Sequence, residues 1–238
     1  MLSIKKKIKR VIYGKFADSD SFSDYLRKNG CSIGSGTVFF SPKHCLIDMT
    51  RPWLINIGEN VMIPRDVTIL THGYDWSVIK GKYGDILGSS GKVTIGNNVF
   101  IGMKTTILKG VNIGDNVIIG ANSLVNKDIP ANEVWAGVPA KYIMSIDEYK
   151  IKRESLQLVE AVECCIEFFK RYKKWPKEKD MREFIFLFGS RENAAVDTVF
   201  NEIGRLVNNF DMTYDKYVKT TGKFKNYDDF IEYCKKQI

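Results

Sequence analysis

Only two imidazoles are available to the chain, His44 and His72, and His72 stands in a polar, aromatic, glycine-bearing stretch, THGYDWSVIKGKYG. Histidine titrates close to neutrality and so suits proton abstraction there. A lone histidine is more often structural, so its setting has to decide. Asp75, three residues on, reads either as a group that orients the imidazole or as an exposed loop carboxylate. Tyr74 and Trp76 offer an apolar face to a ring-shaped acceptor, or else anchor the stretch to its neighbours. Asp48 and Arg51, close to His44, read as acceptor contacts or as turn chemistry. No Cys or Ser adjoins His72 in the pattern of an activated nucleophile. Thr71 is adjacent, but neighbours on a strand point to opposite faces. These residue types fit general-base chemistry without a covalent enzyme intermediate.

The elements that must hold these groups follow from a repeat. From Ile95 the chain reads in sixes as IGNNVF, IGMKTT, ILKGVN, IGDNVI, IGANSL and VNKDIP. The first position is Ile or Val throughout, glycine often follows, and the fifth position is small or β-branched. The same register appears as IGENVM and IPRDVT over 57–68 and as IGSGTV from Ile33. A hexad is one short strand and a turn, with β-branched residues inward and glycine where a Cβ would clash. One hexad cannot bury its face alone, so the units stack as a solenoid. Three hexads make one triangular coil, which places Ile95 beneath Ile113, Ile101 beneath Ile119 and Ile107 beneath Val125.

The register breaks between Ile69 and Ile95, over one coil and about eight extra residues. That excess predicts a loop leaving the solenoid with His72 at its start, the kind of segment on which a rigid scaffold carries chemistry. SPKHCLIDMTRPW (41–53) is a second irregular stretch that interrupts the early coils. DSDSFSDYLRKNG predicts a short capped helix stopped at Gly30. A long amphipathic helix is expected from Asp147 to near Pro176, with further helices around 191–208 and 226–236. Three regions result: a basic, helical segment over 1–30, the solenoid over 31–145, and an α-helical region over 146–238 that caps the open end or reinforces subunit contacts.

The hexads, the tail DIPANEVWAGVPAKYI and the THGYDWSVIKGKYG segment resemble the hexapeptide-repeat acyltransferases, above all the maltose and galactoside O-acetyltransferase branch and its polysaccharide-modifying relatives. The resemblance covers about residues 30–145. It implies a mainly β fold, a left-handed parallel β-helix, with transfer of an acetyl group from acetyl-CoA to a carbohydrate or other small hydroxyl acceptor. By position, His72 matches the family's base. Phe100, Gly102, Met103, Ala121, Asn126, Lys127 and Lys141 match positions that meet the cofactor. Met144 stands where the branch has a further basic residue. A homotrimer with sites between adjacent solenoids is also implied. Amino-sugar N-acyl transfer and a non-catalytic solenoid scaffold are the competing readings.

Composition narrows the field further. The net charge of +8 is local: residues 1–15 hold Lys5, Lys6, Lys7, Lys9, Arg10 and Lys15 and no acid, and the remainder is close to neutral. A nucleic-acid footprint spread over one face is therefore not expected. Two histidines without a clustered Cys/His pattern argue against a metal site, including the three-histidine site of γ-class carbonic anhydrases. Five cysteines without CxxC spacing read as reduced thiols in a cytoplasmic protein. The first 15 residues read either as an amphipathic helix on the inner membrane surface or as a helix capping the first coil. No signal-peptide pattern or membrane-spanning run is expected.

Overall fold

The apolar first and fifth positions of the hexads turn inward and make a single column of aliphatic side chains. In the computed structural model, which describes residues 4–238 and side chains from residue 8, that column includes Ile57, Ile63, Ile69, Ile95, Ile101, Ile107, Ile113 and Ile119, all buried. Three parallel sheets surround it, and successive strands step from one sheet to the next. The first contains Ser32–Ile33, Ile55–Ile57, Val93–Ile95 and Asn112–Ile113. The second stacks Val38–Phe39, Met62–Ile63, Phe100–Ile101, Ile118–Ile119 and Glu133–Ala136, and closes with the antiparallel Lys141–Ser145. The third holds Leu46–Ile47, Thr68–Ile69, Thr106–Ile107 and Leu124–Val125. Ile95 pairs with Ile113, Ile101 with Ile119 and Ile107 with Val125, as the spacing requires.

Two residue types make the corners, and they do different work. A Cβ on Gly58 would lie 2.6 Å from the carbonyl oxygen of Gly96 in the next coil, so glycine here allows close stacking of backbones. The left-handed backbone conformation falls two residues later, on Asn60, Asp66, Asn98, Lys104, Asn116 and Asn122. Asparagine and aspartate tolerate that region better than other side-chain-bearing residues. Several of these amides also link coils: Asn98 Nδ2 donates to Asn116 Oδ1 at 2.8 Å and Asn116 Nδ2 to Asn132 Oδ1 at 3.0 Å.

The two stretches read as irregular are more ordered than expected. Residues 41–53 complete a coil: Leu46–Ile47 pairs with Thr68–Ile69, and proline-led 3₁₀ turns at Pro42–His44 and Pro52–Leu54 replace the glycine corners. The excursion after Ile69 is no plain loop. His72–Gly73 pairs antiparallel with Ser89–Ser90, and a short helix, Trp76–Tyr83, fills the space between, ending at Gly84 with φ 83°.

Before the coils lie helix α1 (Ile4–Tyr13) and helix α2 (Ser19–Lys28). Asp18 caps α2, its side chain accepting from the Ser21 amide, and Phe22 packs edge-on against Phe39 of the coil at 5.0 Å. Residues 1–3, part of the expected basic segment, lie outside the described residues.

The chain divides into two units, Met1–Tyr149 and Lys150–Ile238. The second is helical: the helix Ile146–Tyr172 runs into it, and Ile185–Phe188, Thr198–Gly204, Phe210–Val218 and Tyr227–Lys235 follow. Its helices gather around Phe188, Phe230, Cys165 and Cys234, and around Phe200 stacked on Tyr217 at 4.1 Å. The helix Phe210–Val218 escaped the sequence reading because its apolar residues are interleaved with Asp and Lys.

Because each inward isoleucine supports the coil above and below it, a cavity in mid-column should be felt throughout the solenoid. Ile101→Ala is expected to lower unfolding free energy by about 2–5 kcal/mol, measured by denaturant titration.

Candidate active site

The third sheet brings the site together. Leu46 is in register with Thr68 and Ile47 with Ile69, and the Asp48 amide donates to the Ile69 carbonyl at 3.0 Å. The residues that leave these two strands at the same corner are therefore Asp48–Thr50 below and Thr71–His72 above. The Asp48 carboxylate lies 2.5 Å from His72 Nδ1 through Oδ2. That same oxygen accepts from the Thr71 amide at 3.0 Å and the Thr71 hydroxyl at 2.6 Å. Oδ1 accepts from the Thr50 amide at 3.0 Å and the Thr50 hydroxyl at 2.6 Å. With these bonds the lone pairs of the carboxylate are committed.

Asp48 is 6% exposed. Burial pushes its carboxyl upward, but the hydroxyls and amides of Thr50 and Thr71 outweigh that and hold it below the usual carboxylate range. An ionised carboxylate can only accept, so the proton between it and the ring belongs to His72 Nδ1. The Thr50 hydroxyl gives its hydrogen to Asp48 and presents its oxygen to the same Nδ1 at 3.2 Å. The tautomer assigned in this way leaves Nε2 with a free lone pair. The His72 side chain is 26% exposed, so a small acceptor can reach it.

The geometry redistributes the roles read from sequence. Asp48, read as an acceptor contact or as turn chemistry, is buried and turned to the imidazole. Asp75, read either as an orienting group or as an exposed carboxylate, precedes the helix Trp76–Tyr83, is exposed and makes no capping bond. Thr71 and His72 reach one carboxylate although they adjoin, because Thr71 sits at a coil corner, where strand alternation does not apply. Thr50 was absent from the sequence reading. Its signal was the alignment of Leu46–Ile47 with Thr68–Ile69, hidden by the lack of glycine in that coil.

Around this centre, Tyr74 is exposed and its ring lies 4.9 Å from that of Trp76. Arg51 is half-buried and precedes the turn Pro52–Leu54. His44 lines a separate hollow with Lys15, Phe16 and Tyr25. On the second sheet, Phe100 and Met103 are exposed on either side of buried Gly102, whose missing side chain lets the Ala121 backbone stack against it. The Asn122 amide, next to Ala121, donates to the Met103 carbonyl at 2.8 Å. Asn126 is exposed, and Lys127 Nζ stands 5.0 Å from the Trp135 ring centre. Lys141 is exposed opposite Ala136, and Met144 pairs with Val134. No cluster of three or more metal-ligating His, Cys, Asp or Glu residues occurs among the described residues. No helix among them is long and apolar enough to cross a membrane.

Comparison with known proteins agrees with this architecture. The bacterial transferase hexapeptide family (six repeats) matches residues 92–127. Protein CapG of Staphylococcus aureus is 41% identical over 129 residues, spanning 54% of this chain and 74% of the relative. Galactoside O-acetyltransferase of Escherichia coli K12 is 45% identical over 119 residues, 50% of this chain and 57% of the relative. The putative acetyltransferase YJL218W of Saccharomyces cerevisiae is 37% identical over 149 residues, 60% of this chain and 72% of the relative. The chain belongs to the hexapeptide-repeat acyltransferases.

The low-lying carboxyl of Asp48 has a consequence for stability. A depressed folded-state pKa contributes stability that is fully present above the unfolded aspartate value of about 4 and is lost as pH falls from there toward the folded value. The stability gap between the wild-type protein and Asp48→Asn should be widest near neutral pH and narrow at pH 3, read from urea unfolding at both.

Proposed function

We propose that this protein is an acetyl-CoA-dependent O-acetyltransferase acting on a sugar or polysaccharide hydroxyl, by direct transfer with His72 as general base. The observation that carries the reading is the bond between His72 Nδ1 and the buried carboxylate of Asp48, which leaves Nε2 as the basic atom. The acceptor hydroxyl gives its proton to Nε2 as its oxygen bonds to the acetyl carbonyl carbon. The carbon–sulfur bond then breaks, and the proton returns from Nε2 to the leaving thiolate. Asp48 stabilises the imidazolium in between without taking the proton itself, and Thr50 and Thr71 hold Asp48.

The identity to the galactoside enzyme supports a carbohydrate hydroxyl as acceptor, and Arg51, Tyr74 and Trp76 are proposed to meet it. Asp75 is left without an assigned role. Phe100, Gly102, Met103 and Ala121 are proposed to receive the pantetheine arm. Ala121 is small and exposed, stacked on buried Gly102 and near the exposed side chains of Phe100 and Met103, which fits a slender chain. Asn126, Lys127 and Lys141 are proposed to meet the phosphates, and neither lysine forms an ion pair among the described residues.

A left-handed winding and a homotrimer complete the proposal. The outward stripe of the second sheet is apolar, from Val38 through Met62 and Phe100 to Ile118, whereas the first sheet presents Ser32, Asn56, Thr94 and Asn112. A second copy of the chain would cover the apolar stripe and bring its residues to His72. Sedimentation should give about three times the 27.2 kDa chain mass, and a fully active species at the single-chain mass would contradict the shared site.

His72→Ala should lower kcat by about 10²–10⁴-fold with acetyl-CoA binding near wild type, in an assay against sugars, nucleotide sugars and oligosaccharides. A variant within threefold of wild-type kcat, or acetylated protein isolated after exposure to acetyl-CoA alone, would rule the mechanism out.

A further inference from the structure

Helix α1 carries none of the residues of the His72 site, and its composition is unlike the rest of the chain. It lies within residues 1–15, which hold six cations and no acid. Its outer surface is nevertheless apolar: Val11 is 86% exposed and Ile12 67%, with Ile8 and Tyr13 exposed beside them. Ile8 and Val11 are three residues apart and Ile8 and Ile12 four, so they form one stripe. Arg10 falls on the opposite side at 3.6 residues per turn. Its guanidinium donates through Nε to Asp18 Oδ2 at 3.2 Å, and Asp18 caps α2, which packs on the coil through Phe22. The polar side of α1 is thus tied to the protein, and the apolar stripe is turned outward.

The helix is followed by Phe16 and by a hollow of about 430 Å³, whose lining includes Lys15, Phe16, Lys43, His44 and Leu46 and one acid, Asp66, which pairs with Arg65. Cations and exposed apolar groups are mixed in it as they are on α1. A face meant only for water would be polar. An apolar stripe flanked by cations satisfies both the acyl region and the phosphates of an anionic bilayer.

We propose that α1 lies in the plane of an anionic phospholipid surface, with Ile8, Val11 and Ile12 in the interface and Lys9 and Lys43 against lipid phosphates. This docking is independent of the acetyl-transfer reading.

Flotation of the full-length chain on phosphatidylcholine vesicles, with and without phosphatidylglycerol, tests the proposal without reference to catalysis. The wild-type protein should float with the anionic vesicles and not with the neutral ones, and added salt should weaken the association. Val11→Glu with Ile12→Glu, at two exposed positions, should reduce the floating fraction by about tenfold, with circular dichroism and sedimentation unchanged. Lys9→Glu with Lys43→Glu should also reduce it. Equal flotation of wild type and the Val11/Ile12 variant overturns the proposal. So does absence of flotation on both vesicles, a change of oligomer in that variant in place of lost flotation, or retention by duplex DNA with no flotation.

Discussion

Asp48 meets His72 because one coil of the solenoid sits directly on another, and the register between the two is set by backbone hydrogen bonds rather than by the side chains that do the chemistry. Leu46–Ile47 lies against Thr68–Ile69, so the residues that leave those strands emerge at one corner, a single coil step apart. Close stacking depends on glycine where a Cβ would enter the neighbouring backbone, as at Gly58 and Gly102. It depends equally on residues that accept a left-handed turn, as Asn60, Asn98 and Asn116 do. The buried isoleucine column supplies apolar burial along the whole coil, and the corners make that burial specific to one register.

A scaffold of this kind positions groups cheaply in conformational terms. His72 stands at the start of an excursion, yet its strand pairs with Ser89–Ser90 and its ring is held by a carboxylate from the coil below. Two threonines keep that carboxylate ionised inside the protein, so its charge is available where burial would otherwise remove it. Rigid support beneath and an open Nε2 above is the arrangement that general-base catalysis needs.

Much of this was legible in the sequence, and the reason is periodicity. The hexads from Ile95 fix coil spacing, inward positions and the stacked pairs. His72 stood out because it opened the interval where the period failed. The coil containing Asp48 was harder to read, since proline-led turns replace its glycines and no hexad marks its strand. Proximity in sequence offers Asp75 as a partner for the imidazole, while proximity across coils belongs to Asp48. Thr50 and Thr71 carry no motif at all, and only the stacked register shows that their hydroxyls converge. The helix Trp76–Tyr83 was hidden by its glycine and its aromatic residues, which read as loop.

Base catalysis by His72 turns on which ring nitrogen carries the proton. Nitrogen-15 NMR of the imidazoles answers this directly, because the chain has two histidines and His44→Gln leaves one. With the ring neutral, His72 should show a protonated Nδ1 and a bare Nε2, and Asp48→Asn should disturb that preference. A proton resident on Nε2 in the wild-type protein would contradict the assignment of His72 as the base.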